Sequence, residues 1–425
     1  MSTLRLFTLL AAFLCASCGH DPLSDIWDAF SADAFDSGMD DGMDGGGDGG
    51  RPPMFEPLVT VRLDDAQGIT GDVRNIALAT LGAQTLAFLS AQTDGVHIVD
   101  VSVPSTINTT SVLGTLNAAS LTAPAEIAGG RVDAVAVVDS IYLVCLAVGA
   151  GAVDANGNGV TVFHLPTVQT ILLTPPPHDF SAALAPPTVL TGIAAPGDGN
   201  GNGGGVSGGN SSFLVATGGT ELGTAFITQG TPGSWTAGPP LTSATPAVAN
   251  WYHVLVNGTN AYTSVFADGS FGILAVSLLP MPAVATPNVI QIPGSIGTVN
   301  AGPGNFGMPL ALEATTLNVG GDDEVRTFSV SVPVMPVPGA SIPLAGENLT
   351  GLGNRPGILA VGAGETLNVF QTLGGFGANL AATLTFSAPV VVRGVAPVAD
   401  PMGQFVLCCA GLRGLQVVQW SDVPG

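Results

Sequence analysis

The sequence predicts an all-β fold, and within that class a seven-bladed β-propeller closed by an N-terminal strand that follows a disordered acidic tether. Three observations lead to this prediction. Glycine (59) and proline (32) are frequent in a 425-residue chain that is 46% apolar, which favours many short strands joined by turns over long helices. A short apolar segment recurs along the chain, and one spare strand precedes its first occurrence.

The recurring segment is rich in valine, isoleucine and phenylalanine and ends near proline or glycine, as expected of a β-strand. Its clearest copies are VHIVDVSVP at residues 96–104 and VRTFSVSVP at residues 325–333. Five further segments fit the same register: residues 160–166, 224–232, 273–280, 367–373 and 415–424. Most copies follow a second apolar run, several follow a third, and an outer candidate strand comes after them. Four strands per repeat are typical of a propeller blade.

The position of Asp100 in the first copy is polar in every copy. The seven residues are Asp100, His164, Thr228, Ser277, Ser329, Gln371 and Gln419, spaced 42 to 64 residues apart. Propeller blades repeat about every 40 to 50 residues, so this spacing fits once loop insertions are allowed. A catalytic acid would occur once, whereas a position that needs one hydrogen bond to a neighbouring turn can recur with interchangeable polar residues. We therefore interpret Asp100 as part of the scaffold.

The two ends of the repeat region complement each other. The last copy lacks a following strand, whereas residues 57–63 (PLVTVRL) form a spare strand before the first repeat. If that strand is the outer strand of the last blade, no sheet edge is left open. We therefore expect the propeller to occupy residues 57–425.

The copies resemble the LVIVD repeat, a repeat of bacterial surface propellers. The strand VHIVDVSVP carries the likeness most closely, and only this copy keeps the aspartate of the family. The resemblance covers residues 57–425 in organisation and is specific in two or three copies. It implies a seven-bladed propeller at the cell surface with no defined chemistry.

The N-terminus has the features of a targeting segment. Arg5 supplies a positive charge, residues 6–16 are an apolar run too short to span a bilayer, and small residues follow. The order Cys15-Ala16-Ser17-Cys18-Gly19 resembles the lipobox of bacterial lipoproteins, with Cys15 where leucine is usual. We predict a signal peptide at residues 1–18, lipidation of Cys18 and a cell-envelope address, at the outer membrane or cell surface. Plain secretion is the alternative.

Residues 19–56 contain nine aspartates interleaved with glycine. Such a segment buries too little apolar surface to offset chain entropy, so we predict a disordered tether. The whole chain has no lysine, nine arginines and 31 acidic residues, for a net charge of −22. This charge argues against nucleic acid or an anionic membrane surface as a partner, since both require clustered basic side chains. Membrane contact is expected through the lipid alone, and the protein is expected to be monomeric.

Propellers usually bind their ligands where the innermost strands begin, at the mouth of the axial channel. Aligning the predicted inner strands brings five residues to this end: Arg74, Asp133, Tyr252, His253 and Arg393. Their charges suit a small anion or a sugar-like polymer. The alternative is that they are ordinary exposed polar residues.

A calcium site is a weaker hypothesis. Asp154, Asn156 and Asn158 match the first oxygen ligands of an EF-hand loop, but Leu165 stands where the bidentate acid is required. The same order recurs at residues 198–203, again without that acid. Glycine–asparagine turns are commoner than such sites, so no cofactor is expected beyond weakly bound calcium. We expect Cys145, Cys408 and Cys409 to be free thiols.

These observations predict a binding or scaffold module that presents its channel mouth to an extracellular ligand or partner protein. No metalloprotease motif of the HExxH type occurs, and no catalytic residue is assigned. The alternative is a calcium-dependent propeller hydrolase similar to a lactonase. Such an enzyme needs several inward acids around a channel calcium, and the predicted inner strands offer mainly Asn75 and Asp133.

Overall fold

The structure, a computed structural model, describes residues 57–116, 308–344 except 322, 349–372, 378–387 and 390–421. Between residues 131 and 291 it describes residue 247 and the strands given below, with part of their side chains. The chain divides into two units, residues 1–53 and 54–425, and every described residue belongs to the second. The predicted signal peptide, Cys18 and the tether therefore lie outside the described residues.

The described strands form seven antiparallel sheets, numbered here in chain order. Sheet 1 contains β2 (Asn75–Leu81), β3 (Gln84–Ser90), β4 (Val96–Asp100) and β5 (Val112–Leu116). Sheet 2 contains β6 (Arg131–Val138), β7 (Tyr142–Val148), β8 (Asn158–His164) and β9 (Phe180–Ala183). Sheet 3 contains β10 (Gly192–Ala194), β11 (Asn210–Ala216), β12 (Glu221–Thr228), β13 (Trp235–Ala237) and β14 (Leu241–Thr242).

Sheet 4 contains β15 (Val248–Asn257), β16 (Asn260–Ala267), β17 (Ser270–Ser277), β18 (Ala283–Val284) and β19 (Ile290–Gln291). Sheet 5 contains β20 (Leu310–Glu313), β21 (Thr316–Gly320), β22 (Glu324–Ser329) and β23 (Val337–Pro343). Sheet 6 contains β24 (Leu349–Arg355), β25 (Ile358–Ala363), β26 (Thr366–Thr372) and β27 (Ala378–Thr385). Sheet 7 contains β28 (Val395–Asp400), β29 (Gly403–Cys409), β30 (Leu415–Ser421) and β1 (Leu58–Leu63). Helical structure in the described part of the chain is limited to three 3-10 turns: Asp65–Gln67, Pro104–Thr106 and Thr109–Ser111.

Neighbouring sheets meet through their first strands, which we call the inner strands. Each inner strand contacts the next one in the order β2, β6, β10, β15, β20, β24, β28, and β28 in turn contacts β2. Sheets that follow one another around inner strands in this way define a β-propeller, so the predicted all-β propeller class is confirmed. Five blades, sheets 1 and 4–7, are described with most of their packed side chains. Sheets 2 and 3 are described mainly by their backbone pairing.

The recurring segment of the sequence is the third strand of every sheet. Its copies correspond to β4, β8, β12, β17, β22, β26 and β30. The spare N-terminal strand also pairs as expected: β1 lies antiparallel to β30, with Leu58 opposite Gln419 and Leu63 opposite Leu415. Strands from the two ends of the chain thus complete one sheet.

The strands are apolar on both faces because each sheet packs against two neighbours. In β29, Leu407 and Cys409 belong to the core shared with sheet 1, whereas Val406 and Cys408 belong to the core shared with sheet 6. Successive side chains of a strand point to opposite faces, so alternate residues enter different cores. This arrangement explains why the repeats read as continuous apolar runs and not as strict polar–apolar alternation.

Inner strands approach one another most closely where glycine occupies the contact. A Cβ atom at Gly351 in β24 would overlap the carbonyl oxygen of Arg393, at the start of the next inner strand. A Cβ atom at Gly353 would likewise overlap the carbonyl oxygen of Val395. These glycines are required by the short distance between backbones and not by their backbone dihedral angles.

Replacing Gly351 with alanine should therefore destabilise the propeller by on the order of 3 kcal/mol, because neither backbone can move away without breaking its own sheet. Denaturant unfolding measures this change. Gly82→Ala is the control: Gly82 has a φ of 65° but nothing near its missing Cβ, so only about 1 kcal/mol of backbone strain is expected there. Equal effects at the two positions would contradict the close-approach explanation.

Removing β1 should destabilise the fold more than removing the residues before it. A chain that begins at residue 65 loses the pairing with β30 and the buried side chain of Leu63, which is 1% exposed. Loss of one buried leucine alone typically costs about 2–5 kcal/mol. The comparison chain begins at residue 57 and keeps β1. Equal unfolding midpoints for the two chains would show that β1 does not contribute to closure.

Candidate functional site

The inner strands begin beside backbone bridges that join consecutive sheets. Val73 and Gly411 exchange two backbone hydrogen bonds of 3.1 Å, and Val132 and Gln92 exchange two of 2.9 and 3.1 Å. Gly411 and Gln92 occupy the same place in the turn between the second and third strands of their sheets, with φ of 59° and 51°. The residues that follow the bridged valines are Arg74 and Asp133. We call the surface formed by the starting ends of the inner strands the axial end.

Arg74 is held by a neighbouring carboxylate. Its Nε donates to Asp72 Oδ2 at 2.8 Å, and the two side chains are 9% and 19% exposed. The charge of Arg74 is therefore largely neutralised before any ligand arrives. Asp72 was not among the predicted site residues. The two-residue spacing, which places both side chains on one face of an extended chain, could have indicated it.

Arg393 occupies the position in sheet 7 that Arg74 occupies in sheet 1. The Arg393 amide donates to the Cys409 carbonyl at 2.9 Å, as the Arg74 amide does to the Ser90 carbonyl. Asp133 is the extra residue of a bulge in β6, between the paired residues Val132 and Ala134, and its side chain lies outside the described residues. Because β28, β2 and β6 are consecutive inner strands, the structure brings the backbones of Arg393, Arg74 and Asp133 together along one arc.

Tyr252 and His253 lie on β15, away from this arc. One inner strand, β10, lies between β15 and β6, and two, β20 and β24, lie between β15 and β28. Tyr252 is the extra residue of a bulge and its side chain is not described. The His253 amide donates to Ser264 Oγ at 3.0 Å, as the Asn75 amide does to Ser90 Oγ at 3.1 Å. His253 thus shares the position of Asn75 and lies one residue beyond the position of Arg74.

The imidazole of His253 is not a cation at neutral pH. Burial lowers its pKa to about 4, and Nδ1 is buried although the residue as a whole is partly exposed. An uncharged ring cannot attract an anion as the sequence interpretation required. The predicted five-residue rim therefore divides into one arc with Arg74, Asp133 and Arg393 and a separate pair on β15, Tyr252 and the neutral His253.

Asp100 stabilises the turn after its strand. Its Oδ1 accepts from the Ser102 amide at 3.0 Å and from Ser102 Oγ at 2.6 Å. At the equivalent position Ser329 contacts Ser331 through their hydroxyls at 2.7 Å, and Gln419 donates to the Met402 carbonyl at 3.4 Å. At these three positions different polar residues thus bond nearby turns, as the interpretation of the Asp100 position expected.

Two further carboxylates at the ends of inner strands bind the next sheet. Asp400 accepts from the Ser105 amide at 2.9 Å, from Ser105 Oγ at 2.8 Å and from the Met402 amide at 2.7 Å. Burial raises the pKa of the Asp400 carboxyl, but these hydrogen bonds outweigh burial and hold it below its usual value. Glu313 accepts from the Gly357 amide at 2.6 Å and from Thr372 Oγ1 at 2.8 Å.

The proposed calcium ligands are not tested by the described residues. Asp154, Asn156 and the second loop at residues 198–203 lie outside them. Asn158 is the first residue of β8, where its backbone pairs with Val148, and its side chain is not described. The described part of the chain contains no group of three or more histidine, cysteine, aspartate or glutamate residues that could hold a metal ion.

The two adjacent cysteines are free and buried. Burial raises the pKa of both thiols, so neither is a reactive thiolate. The side chain of Cys145 lies outside the described residues. No helix among the residues the structure describes is long and apolar enough to cross a membrane.

Comparison with known proteins identifies no family for this chain. No protein-family model matches the chain, and no curated protein does. Among solved structures it is similar to the extracellular domain of a one-component system from B. thetaiotaomicron, at 12% identity and a TM-score of 0.46. That match covers 82% of this chain and 38% of the other, so the chain spans well under half of that protein's length.

The neutral state of His253 predicts a pH-dependent stability. A folded pKa below the unfolded value means that the native state binds fewer protons, so stability is full above about pH 6.5 and falls toward pH 4. Between pH 7 and pH 5 we expect the wild-type chain to lose on the order of 1–2 kcal/mol more than His253→Gln. Burial also lowers the pKa of His97, so His97→Gln should reduce the loss separately, and the reductions from the two substitutions should add in the double variant. Identical losses in the wild type and His253→Gln would refute the prediction.

Proposed function

We propose that the chain is a non-enzymatic binding module, a seven-bladed β-propeller that is exported and tethered to the cell envelope through a lipid on Cys18. Seven sheets in chain order, with β1 added to the last of them, support the blade number. The N-terminal sequence supports the export and the anchor. Membership of the LVIVD repeat family stays a prediction.

The observation that supports the non-enzymatic role is that the carboxylates near the inner strands already accept hydrogen bonds from protein groups. Asp72 bonds Arg74, Asp400 bonds Ser105, and Glu313 bonds Gly357 and Thr372. A general acid or a metal ligand needs an oxygen that faces substrate or metal. Asp72 neutralises a neighbouring arginine, and Asp400 and Glu313 join their sheets to the next. Carboxylates engaged in this way serve the scaffold, which leaves the axial end and its loops for binding.

Arg393 is the axial-end cation best placed to contact a ligand. It is partly exposed, whereas Arg74 is nearly buried against Asp72. Guanidinium groups suit carboxylates in planar, bidentate geometry. We therefore propose that the axial end binds an extracellular polysaccharide with widely spaced carboxylates, since a single carboxylate needs one guanidinium group and not a basic cluster.

Binding of the full chain to an array of acidic and neutral polysaccharides tests this proposal. We expect retention on acidic polymers, weakened at least about tenfold by Arg393→Ala, since a desolvated charged hydrogen bond is worth about 1.5–3 kcal/mol. Arg326→Ala is the matched control, because this substitution removes the same charge from sheet 5, where Arg326 forms an ion pair with Glu324. Unchanged binding by Arg393→Ala, or equal retention on neutral polymers, would contradict the proposal.

Elemental analysis of the same preparation separates this function from a calcium-dependent hydrolase. We expect less than stoichiometric calcium. One calcium per chain that is lost in Asp133→Ala, together with lactone hydrolysis, would instead favour the enzyme.

A further inference from the structure

A cavity of about 340 Å³ lies between the outer strands of sheets 6 and 7. Its apolar wall includes Phe386 and Val390, which are buried, together with Val59 and Leu384. Its polar lining includes two exposed arginines, Arg62 and Arg413. The cavity is distinct from the axial end, which is formed by inner strands.

The position of Arg62 follows from the pairing of the closing strand. In β1, Arg62 lies opposite Gln416 of β30, so the two side chains share one face of sheet 7. The neighbouring pair Leu63 and Leu415 belongs to the core shared with sheet 1, so Arg62 and Gln416 face sheet 6. They place polar groups at the point where the apolar packing between sheets 6 and 7 ends.

Arg413 reaches the same cavity from the turn between β29 and β30. That turn is held by a hydrogen bond of 3.1 Å from the Arg413 amide to the Ala410 carbonyl. Gln416 Nε2 donates to the Arg413 carbonyl at 2.6 Å, and Gln416 is buried. One buried amide thus ties the turn that carries Arg413 to the strand that pairs with Arg62.

Neither arginine has an ion-pair partner among the described residues, where the ion pairs are Arg74–Asp72 and Arg326–Glu324. Asp64 also lines the cavity, but its Oδ1 accepts from the Ala66 amide at 3.1 Å as the cap of a 3-10 turn. Two guanidinium groups and one carboxylate leave the cavity with one net positive charge. Acidic residues outnumber arginines by 31 to nine in this chain, so most arginines could find an acidic partner. Two arginines beside one cavity with no ion pair among the described residues therefore favour an anion there.

We propose that this cavity binds a small monocarboxylate with an apolar body. Guanidinium groups bind carboxylates by paired, charge-assisted hydrogen bonds, and the apolar wall provides burial for the rest of the ligand. A volume near the lower end of ligand pockets limits the ligand to a small molecule. The Asp64 carboxylate repels a second negative charge, so a monoanion is favoured over phosphate or a dicarboxylate.

The site has a consequence for the ring because β1 is the closing strand. A ligand held between Arg62 of β1 and the wall supplied by sheet 6 binds the folded ring and not an open one. Binding should therefore raise the unfolding temperature by mass action. The inference stands apart from the proposed polysaccharide binding, which involves Arg393.

Isothermal titration calorimetry of the full chain with benzoate and hexanoate tests the proposal. We expect saturable binding of one carboxylate per chain, at least tenfold weaker binding of benzamide and of inorganic phosphate, and a higher unfolding temperature in the presence of benzoate. No saturable benzoate binding, or equal affinity for benzamide or phosphate, would overturn the proposal.

Variants locate the site. Arg62→Gln and Arg413→Gln should each weaken benzoate binding at least tenfold, whereas Arg326→Gln, which removes the same charge from sheet 5, should not. Arg413 is exposed in a turn, so Arg413→Gln remains informative if Arg62→Gln affects the pairing of β1. Full benzoate affinity in Arg413→Gln, or an equal loss in Arg326→Gln, would overturn the assignment. Failure of the polysaccharide test, with these results intact, would leave the carboxylate site unaffected.

Discussion

The close approach of neighbouring inner strands is the constraint on which the rest of this propeller depends. Backbone bridges such as Val73–Gly411 bring consecutive sheets together, and Gly351 and Gly353 leave no room for a side chain at the contact. Where a larger residue stands at such a contact, it supplies a hydrogen bond. Asn75 Oδ1 accepts from the Val135 amide of the next inner strand at 3.0 Å. The ring is therefore joined by backbone near its axis and by apolar side chains further out.

This construction determines where charged groups can act. Carboxylates close to the inner strands satisfy amides and hydroxyls of the adjoining sheet, because a buried polar group left unpaired is costly. Arg62 and Arg413, which have no ion-pair partner among the described residues, lie at the periphery. Arg62 and Arg413 both lie on sheet 7, the sheet completed by strands from opposite ends of the sequence. Two of the nine arginines of this acidic chain thus lie beside the joint that closes the ring.

Sequence reasoning located the third strands and the closing strand but missed several inner strands. The third strands, such as β4 and β22, are apolar on both faces and rich in β-branched residues, so local composition identifies them. The segment 349–355 (LTGLGNR) becomes the inner strand β24, although its two glycines are untypical of strands. They are there because another backbone lies against them. In the site, Arg74 was predicted to contribute its charge to an anion-binding rim, whereas the structure pairs it with Asp72. Burial lowers the pKa of His253, so its ring is uncharged at neutral pH.

The sequence by itself determined the strand-rich composition, the recurring blade strand, the scaffold role of Asp100 and the segment that closes the ring. Each of these depends on residues a few positions apart or on similarity between copies, which can be read along one chain. Only the tertiary structure decided which arginines are paired, which histidine is desolvated and which side chains share a cavity. Arg62 and Leu384 are more than 300 positions apart, and they line one cavity because β1 joins β30 and sheet 6 packs beside them. Such contacts follow from the packing of whole sheets, and no local pattern encodes them.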